Sequence, residues 1–319
     1  MKTGVFAKIM AGICFGLLIV ASINADENNS RAGTRAFDFL KIQMGARPMA
    51  MGGAFTGVAD DATALYYNPS GIANLTGKQY IAGYHNNIFD MQSGFVGFIA
   101  PVGEERKAFA YINYLNYGDF IKTDELGNED GTFSGGDLVF AGGYSMALTY
   151  QLFIGGTAKF IYEKIDEYTS TGMAVDIGLK YQTYDGRTSF GLMLQNLGTQ
   201  LGTFVDGGEK YPLPTYLKAG AASRLKGLPL LIAGDVIYPT DNDIFIALGA
   251  ELLNLQPLYV RLGWTNFGSN YKTGGSGDDW AGLSAGFGFE FNKMQISYTV
   301  TPQAELGTSH RITFTGGIY

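Results

Sequence analysis

From about residue 77 to the end of the chain, apolar and polar residues alternate with a period of two, which gives a β-strand two different faces. Met173, Val175, Ile177, Leu179 and Tyr181 interleave with Ala174, Asp176, Gly178 and Lys180. Leu258, Val260, Leu262 and Trp264 interleave with Tyr259, Arg261, Gly263 and Thr265, and Met294, Ile296, Tyr298 and Val300 with Gln295, Ser297 and Thr299. About fourteen such segments are predicted, at 77–86, 93–101, 107–117, 136–147, 150–163, 171–183, 187–196, 214–224, 228–238, 243–254, 256–265, 279–290, 293–301 and 309–319. Most approach the ~9–11 residues that a tilted strand needs to cross a bilayer. No run beyond the N-terminal leader has 18 consecutive apolar residues, so helical spanning is excluded.

Composition sharpens the choice. Charged residues make up 16% of the 319, hydrophobic residues 46% and aromatics 14%, so the apolar surface must fill a large core or face lipid. The connections favour lipid. Those after predicted strands 2, 4, 6, 8, 10 and 12 are short, whereas 118–135, 197–213, 266–278 and 302–308 are long or polar. Short turns alternating with long loops mark a membrane meander, and closing it into a barrel removes both edges. An even strand count returns the C-terminus to the periplasmic side, where the N-terminus is expected to start. Glycines such as Gly142, Gly143, Gly155, Gly156, Gly286 and Gly288 lie inside strands, where glycine marks bends or close backbone approach. The last strand ends on an aromatic, Tyr319, as bacterial outer-membrane barrels commonly do.

Other features narrow the function. The net charge of −7 offers no basic footprint for nucleic acid, and a single cysteine excludes zinc-ribbon, iron–sulfur and thiol chemistry. Lys2 and Lys8 precede an uncharged run from Ile9 to Ile23, and Ala25 closes it. That pattern predicts a signal peptide over 1–25, cut between Ala25 and Asp26. Residues 26–76 differ from the strand region that follows. Phe37, Leu40 and Met44 predict a short amphipathic helix over Thr34–Met44, and Asp60-Asp61 can cap another that runs through Tyr67 and stops at Asn68-Pro69-Ser70-Gly71. The segment is expected in the barrel lumen or its periplasmic mouth, with the wall spanning 77–319.

The stretch from Gly45-Ala46-Arg47-Pro48-Met49-Ala50-Met51-Gly52-Gly53 to Phe55, then Val58-Ala59-Asp60-Asp61 through Asn68-Pro69-Ser70-Gly71, resembles the N-terminal signature of the PorV/PorQ family. That family lies within the wider superfamily of FadL-type fatty-acid transporters. The resemblance implies a fourteen-stranded outer-membrane barrel with an N-terminal hatch carrying Gly45, Arg47, Pro48, Gly52, Gly53, Asp60, Asp61, Asn68, Pro69 and Gly71. PorV-type membership implies a shuttle or anchor in type IX secretion that receives cargo proteins and passes them to a surface-attachment complex. FadL-type membership implies diffusion of hydrophobic small molecules through a hatch-gated lumen with a lateral opening.

Motifs that would carry chemistry read as structural. Gly282-Leu283-Ser284-Ala285-Gly286 has the form of a nucleophile elbow but sits mid-strand with no helix after it. Ser309 with His310, and His85 with Asp90, lack the partners of a triad or metal site. Asp124, Glu125, Glu129 and Asp130 form an acidic loop without the alternating ligand pattern of a calcium site. Lys159, Glu163, Asp176, Lys180, Asp235, Glu251 and Arg261 are expected to point inward and pair, because a charge on the lipid face costs ~2–4 kcal/mol at midplane. Tyr111, Tyr114, Tyr117, Tyr162, Tyr181, Tyr238 and Trp264 are expected in the interfacial girdles. The sequence therefore predicts a non-enzymatic outer-membrane barrel without cofactor or metal, surrounded by lipid. Its first predicted role is type IX secretion; the second is a FadL-like conduit, and the third a soluble secreted β-protein.

Overall fold

The computed structural model describes residues 33–103 and 105–318. The predicted signal peptide, its Ala25–Asp26 junction and Tyr319 lie outside the described residues. Fourteen strands form one closed antiparallel barrel in which each pairs with its sequence neighbours and the first pairs with the last. They are β1 (Lys78–Asn86), β2 (Gln92–Pro101), β3 (Arg106–Thr123), β4 (Glu129–Ala147), β5 (Leu152–Ile165), β6 (Tyr168–Gln182) and β7 (Thr188–Gly202). The circuit continues with β8 (Tyr216–Arg224), β9 (Leu230–Pro239), β10 (Phe245–Leu252), β11 (Leu258–Thr265), β12 (Leu283–Phe291), β13 (Met294–Pro302) and β14 (Thr308–Ile318).

The period-two pattern becomes an inside and an outside. On β6, Ser170, Gly172, Ala174, Asp176, Gly178 and Lys180 face in and are buried, whereas Met173, Val175 and Ile177 face out and are exposed. Phe98, Ile112, Phe140, Leu262, Phe287 and Phe314 continue that exposed apolar belt around the outer wall. Such a surface is stable against hydrocarbon and unfavourable against water.

Three expectations need correction. The stretch 118–135 is not a long loop, because β3 and β4 run on as a hairpin past the register shift between Asn116 and Asp119. Phe120 stacks on Phe133, and Asp124 accepts the amides of Leu126 and Asn128 at the tip, so this acidic residue forms the turn. Likewise β7 extends to Gly202, carried past a bulge at Asn196 (φ 58°) whose amide bonds the Asp176 carboxylate. The long connections that remain are 203–215 and 266–282, both at the end opposite the short turns. Third, three of the girdle tyrosines are covered. Tyr111 and Tyr117 face the lumen, and Tyr181 is buried at the short-turn end, where Gln151 Nε2 donates to its hydroxyl. Tyr114, Tyr238 and Trp264 do stand exposed on the outer wall.

Residues before β1 fill the lumen with short helices: α1 (Ala46–Ala50), α2 (Ala64–Tyr67) and 3-10 turns at Asp38–Lys41 and Pro69–Asn74. The helix expected over Thr34–Met44 shrinks to the turn at Asp38–Lys41, because Phe37 adopts a left-handed backbone (φ 59°) that no continuing helix accepts. The segment also enters from the end opposite to that expected. Ala36 donates its amide to Pro212 O and Arg35 its guanidinium to Thr240 O, both in long-loop-end connections. It leaves at the other end, where Asn74 bonds Gln182, before turning into β1. The hatch therefore threads the whole lumen, and Met51, Phe55, Leu65, Tyr67 and Ile72 at its centre are fully buried.

Candidate functional site

The hatch is held by a charge hub and by backbone seats around the wall. Arg47, on α1, is the hub of the charge. Its Nη1 donates to Asp60 at 2.6 Å and Asp61 at 2.7 Å, and its Nε and Nη2 grip both oxygens of Glu251 on β10 at 2.8 and 2.9 Å. Arg261 of β11 shares the same Glu251 carboxylate, and Arg224 at the end of β8 takes the second oxygen of Asp60 at 2.9 Å. Burial works against a charge at both Arg47 and Asp60. The carboxylates outweigh it at Arg47 and hold that guanidinium firmly protonated. At Asp60, Arg47 and Lys180 outweigh burial and keep the carboxyl below its usual range. Arg47 also lies over the Phe55 ring, 5.2 Å from its centre.

The remaining residues of the motif shape the backbone. Gly45, Gly52 and Gly53 have φ of 82°, 68° and 86°, conformations that favour glycine, and Pro48 O accepts the amides of Met51 and Gly53 to round the turn. Asp61 accepts the Thr63 amide at 2.7 Å in a local turn just before α2, but Thr63 is the N-cap and no side chain caps the helix, and Asp60 joins the charge hub instead. Asn68 does more than end a helix. Its Oδ1 accepts from the amide and hydroxyl of Ser70 to start the next turn, while Nδ2 donates to Thr56 O and Leu179 O. Pro69 rests on Gly155 of β5, and Gly71 passes so close to Ala59 O that a Cβ would overlap it. The structure thus brings Arg47, Asp60 and Asp61 together, whereas Asn68 and Pro69 meet β6 and β5 and Gly71 packs on Ala59 within the hatch.

The wall is built around its circuit to receive the hatch. At Gly155, Gly178, Gly191 and Gly263, all inward-facing, a Cβ would run into Pro69, Asn68, Thr56 or Gly52. Inward polar groups bond the hatch backbone directly. Asp235 accepts the amides of Phe55 and Thr56, and Lys180 donates to Val58 O and Ala59 O. Ser189 donates to Gly57 O, and Ser284 accepts from the Gly52 amide at 3.1 Å. The serine of the elbow-like motif is therefore a hatch anchor. Of the lumen charges expected to pair with one another, Lys159–Asp176 and Arg261–Glu251 do so, whereas Lys180 and Asp235 bind the hatch. His310 Nδ1 lies 2.7 Å from the Tyr298 hydroxyl, and Ser309 bonds Arg311, so the adjacent pair is not joined.

Two spaces flank the hatch. At the long-loop end lies a cavity of about 240 Å³ with Ile88, Met91, Phe245, Phe267 and Tyr271 in its lining. At the short-turn end a charged vestibule of about 570 Å³ opens over Arg47, Asp60, Asp61, Arg224 and Glu290. Sequence reasoning missed Arg224, because a strand-terminal arginine carries no signal of its partner. It also missed the serines, whose inward phase was visible but whose targets are backbone atoms of another segment.

Residues 17–118 match a family described as "Uncharacterised protein family (UPF0164)", a span that takes in the hatch and reaches into β3. No curated protein matches the chain. Among solved structures the barrel is similar to the toluene transporter TbuX of Ralstonia pickettii, at 12% identity and a TM-score of 0.61, covering 89% of this chain and 100% of that one. It is also similar to the toluene transporter TodX of Pseudomonas putida (13% identity, TM-score 0.54, 83% and 96% covered). A Pseudomonas aeruginosa FadL homologue aligns at 10% identity with a TM-score of 0.51, covering 84% and 96%. The chain has the fold of FadL-type channel barrels.

Proposed function

We propose that this protein is an outer-membrane conduit for hydrophobic small molecules, exported by its N-terminal signal peptide and gated by the hatch. The observation that carries this reading is the hatch between an apolar-lined cavity at one end and a charged vestibule at the other. A hydrophobic solute would collect in the first, and a rearrangement of the Arg47 hub would open the route past the plug. The similar structures named as toluene transporters and as a FadL homologue support the same reading. In it, the hatch motif gates the lumen and the outer wall contacts lipid.

The type IX secretion role rests on the motif of residues 45–71, whose side chains are engaged in seating the hatch. Two measurements separate the readings. Proteoliposomes carrying the mature protein should take up radiolabelled toluene faster than empty vesicles, and a variant lacking residues 34–70 faster still. Uptake equal to that of empty vesicles in both would overturn the conduit. Recovery of secretion-pathway proteins or their cargo with the tagged barrel from detergent-solubilised outer membranes would establish the secretion role instead.

A further inference from the structure

At the seam where the barrel closes, Arg311 of β14 stands directly opposite His85 of β1 in the strand register. Both side chains point inward, and both residues are nearly sealed, at 4% and 5% exposure. The guanidinium Nη1 meets two neutral hydroxyls, Ser309 Oγ at 3.1 Å and Thr301 Oγ1 at 3.4 Å, and its Nε has no partner. Among the described residues no carboxylate pairs with it, whereas Arg47 and Arg261 share Glu251 and Lys159 holds Asp176 at 2.7 Å. His85 Nδ1 lies 3.3 Å from Ser93 Oγ, and its Nε2 is also buried without a partner.

Both residues line one small cavity of about 10 Å³, closed by Gln43 and Met44 of the hatch, Ser93 and Phe95 of β2, Asn113 of β3 and Thr313 of β14. A space of that size takes one atom of water or halide dimensions and is too small for a carboxylate or phosphate. Charge decides between the two. An arginine stays protonated in proteins, and burying its charge without compensation is costly, which an anion offsets more fully than a neutral water does. We propose that this cavity is a binding site for a single halide ion, held by Arg311 Nε–H and His85 Nε2–H.

With Ser93 donating its hydroxyl to Nδ1, the neutral imidazole carries its hydrogen on Nε2 and directs it at the ion. Because Gln43 and Met44 form one side of the cavity, the ion ties the hatch to the β1–β14 seam. Immediately alongside, the Ala46 amide donates to Thr313 Oγ1 at 2.8 Å. Arg311 and Gln43 also line the larger cavity at the long-loop end, so the ion sits beside the space assigned above to the solute.

The test is bromide substitution. The full mature protein, purified from the outset in bromide instead of chloride, should show an anomalous diffraction peak between Arg311 and His85, and an Arg311→Gln variant should lose it. In detergent, replacing chloride by gluconate at constant ionic strength should lower the heat-modifiability midpoint of the wild type by a few degrees and leave Arg311→Gln unmoved. If that variant does not assemble, the wild-type bromide map and gluconate comparison still decide. A wild-type map with no anomalous peak at the cavity overturns the proposal, as does a midpoint indifferent to halide.

Discussion

Replacing Arg47 with methionine should loosen the hatch while leaving the wall intact. The side chain touches three carboxylates and is 11% exposed, so its removal strands negative charge in a confined space. Breaking one side of a buried pair costs ~3–5 kcal/mol. Here the lower end applies. Asp60 and Asp61 retain 24% and 19% exposure and can rehydrate, and Arg224 and Arg261 remain to hold Asp60 and Glu251. About 3 kcal/mol taken from hatch docking shifts its equilibrium by about two decades, at ~1.4 kcal/mol per decade. Two assays read this: the open fraction in planar-bilayer recordings and the rate at which added protease cuts the hatch, each expected to rise roughly a hundredfold by that conversion. Arg47→Lys keeps the charge but loses the two-pronged grip on Glu251, and should fall between the two. Wild-type conductance and cleavage in Arg47→Met, with the barrel's circular dichroism unchanged, would refute the claim that charge holds the plug.

Other perturbations probe the remaining contacts. Gly263→Val would drive a side chain into the Gly52 amide, an overpacking of ~1–3 kcal/mol that should lift the hatch and show as new sites in limited proteolysis. Asn68→Ala removes a cap and leaves the carbonyls of Thr56 and Leu179 short of a donor, a loss of about 2 kcal/mol visible as a lower unfolding midpoint in detergent. Asp60 supplies a pH test. A carboxyl depressed in the folded state contributes stability that is complete above its unfolded value, near ~4, and lost as pH falls through the depressed value. The contribution of Asp60, read as the difference between the dye-leak profiles of the wild type and Asp60→Asn, should therefore hold down to about pH 4 and be lost only in stronger acid; a difference that vanishes between about pH 6 and 5 would contradict the ion-pair account.

The wall was legible because each strand repeats the same local decision, apolar out and polar or small in. The same rule could have sorted the tyrosines, since Tyr111 and Tyr114 sit three apart on β3 and must face opposite ways. The extended β3–β4 hairpin was hidden because its tip stands clear of the barrel, with both strand faces exposed and no alternation to detect. The hatch was harder for a different reason. Helices of four and five residues are too short to hold themselves, so their positions come from wall partners such as Thr299 and Thr313 on Ala46 and Gln195 on Tyr66, over a hundred positions away in the chain. Inward phase announced that Glu251 and Arg261 belong to the lumen, but nothing in the sequence joins them to Arg47.

This division explains why the hatch motif indicates an architecture more clearly than a function. Gly52 and Gly53 give the backbone its turns, Asn68 joins one helical turn to the next, and Arg47 with Asp60 and Asp61 fastens the plug to β10. Every one of those tasks is the same whether a barrel passes a hydrocarbon or hands on a protein. In the conduit reading selectivity would arise at the long-loop mouth, where residues of the 266–282 connection meet the hatch around a largely apolar cavity that Lys41 and Arg311 also border. Phe267 packs there against Phe245 and Tyr271. Substitutions in that aromatic cluster should change which solutes cross, whereas substitutions at Arg47 should change how readily any solute crosses.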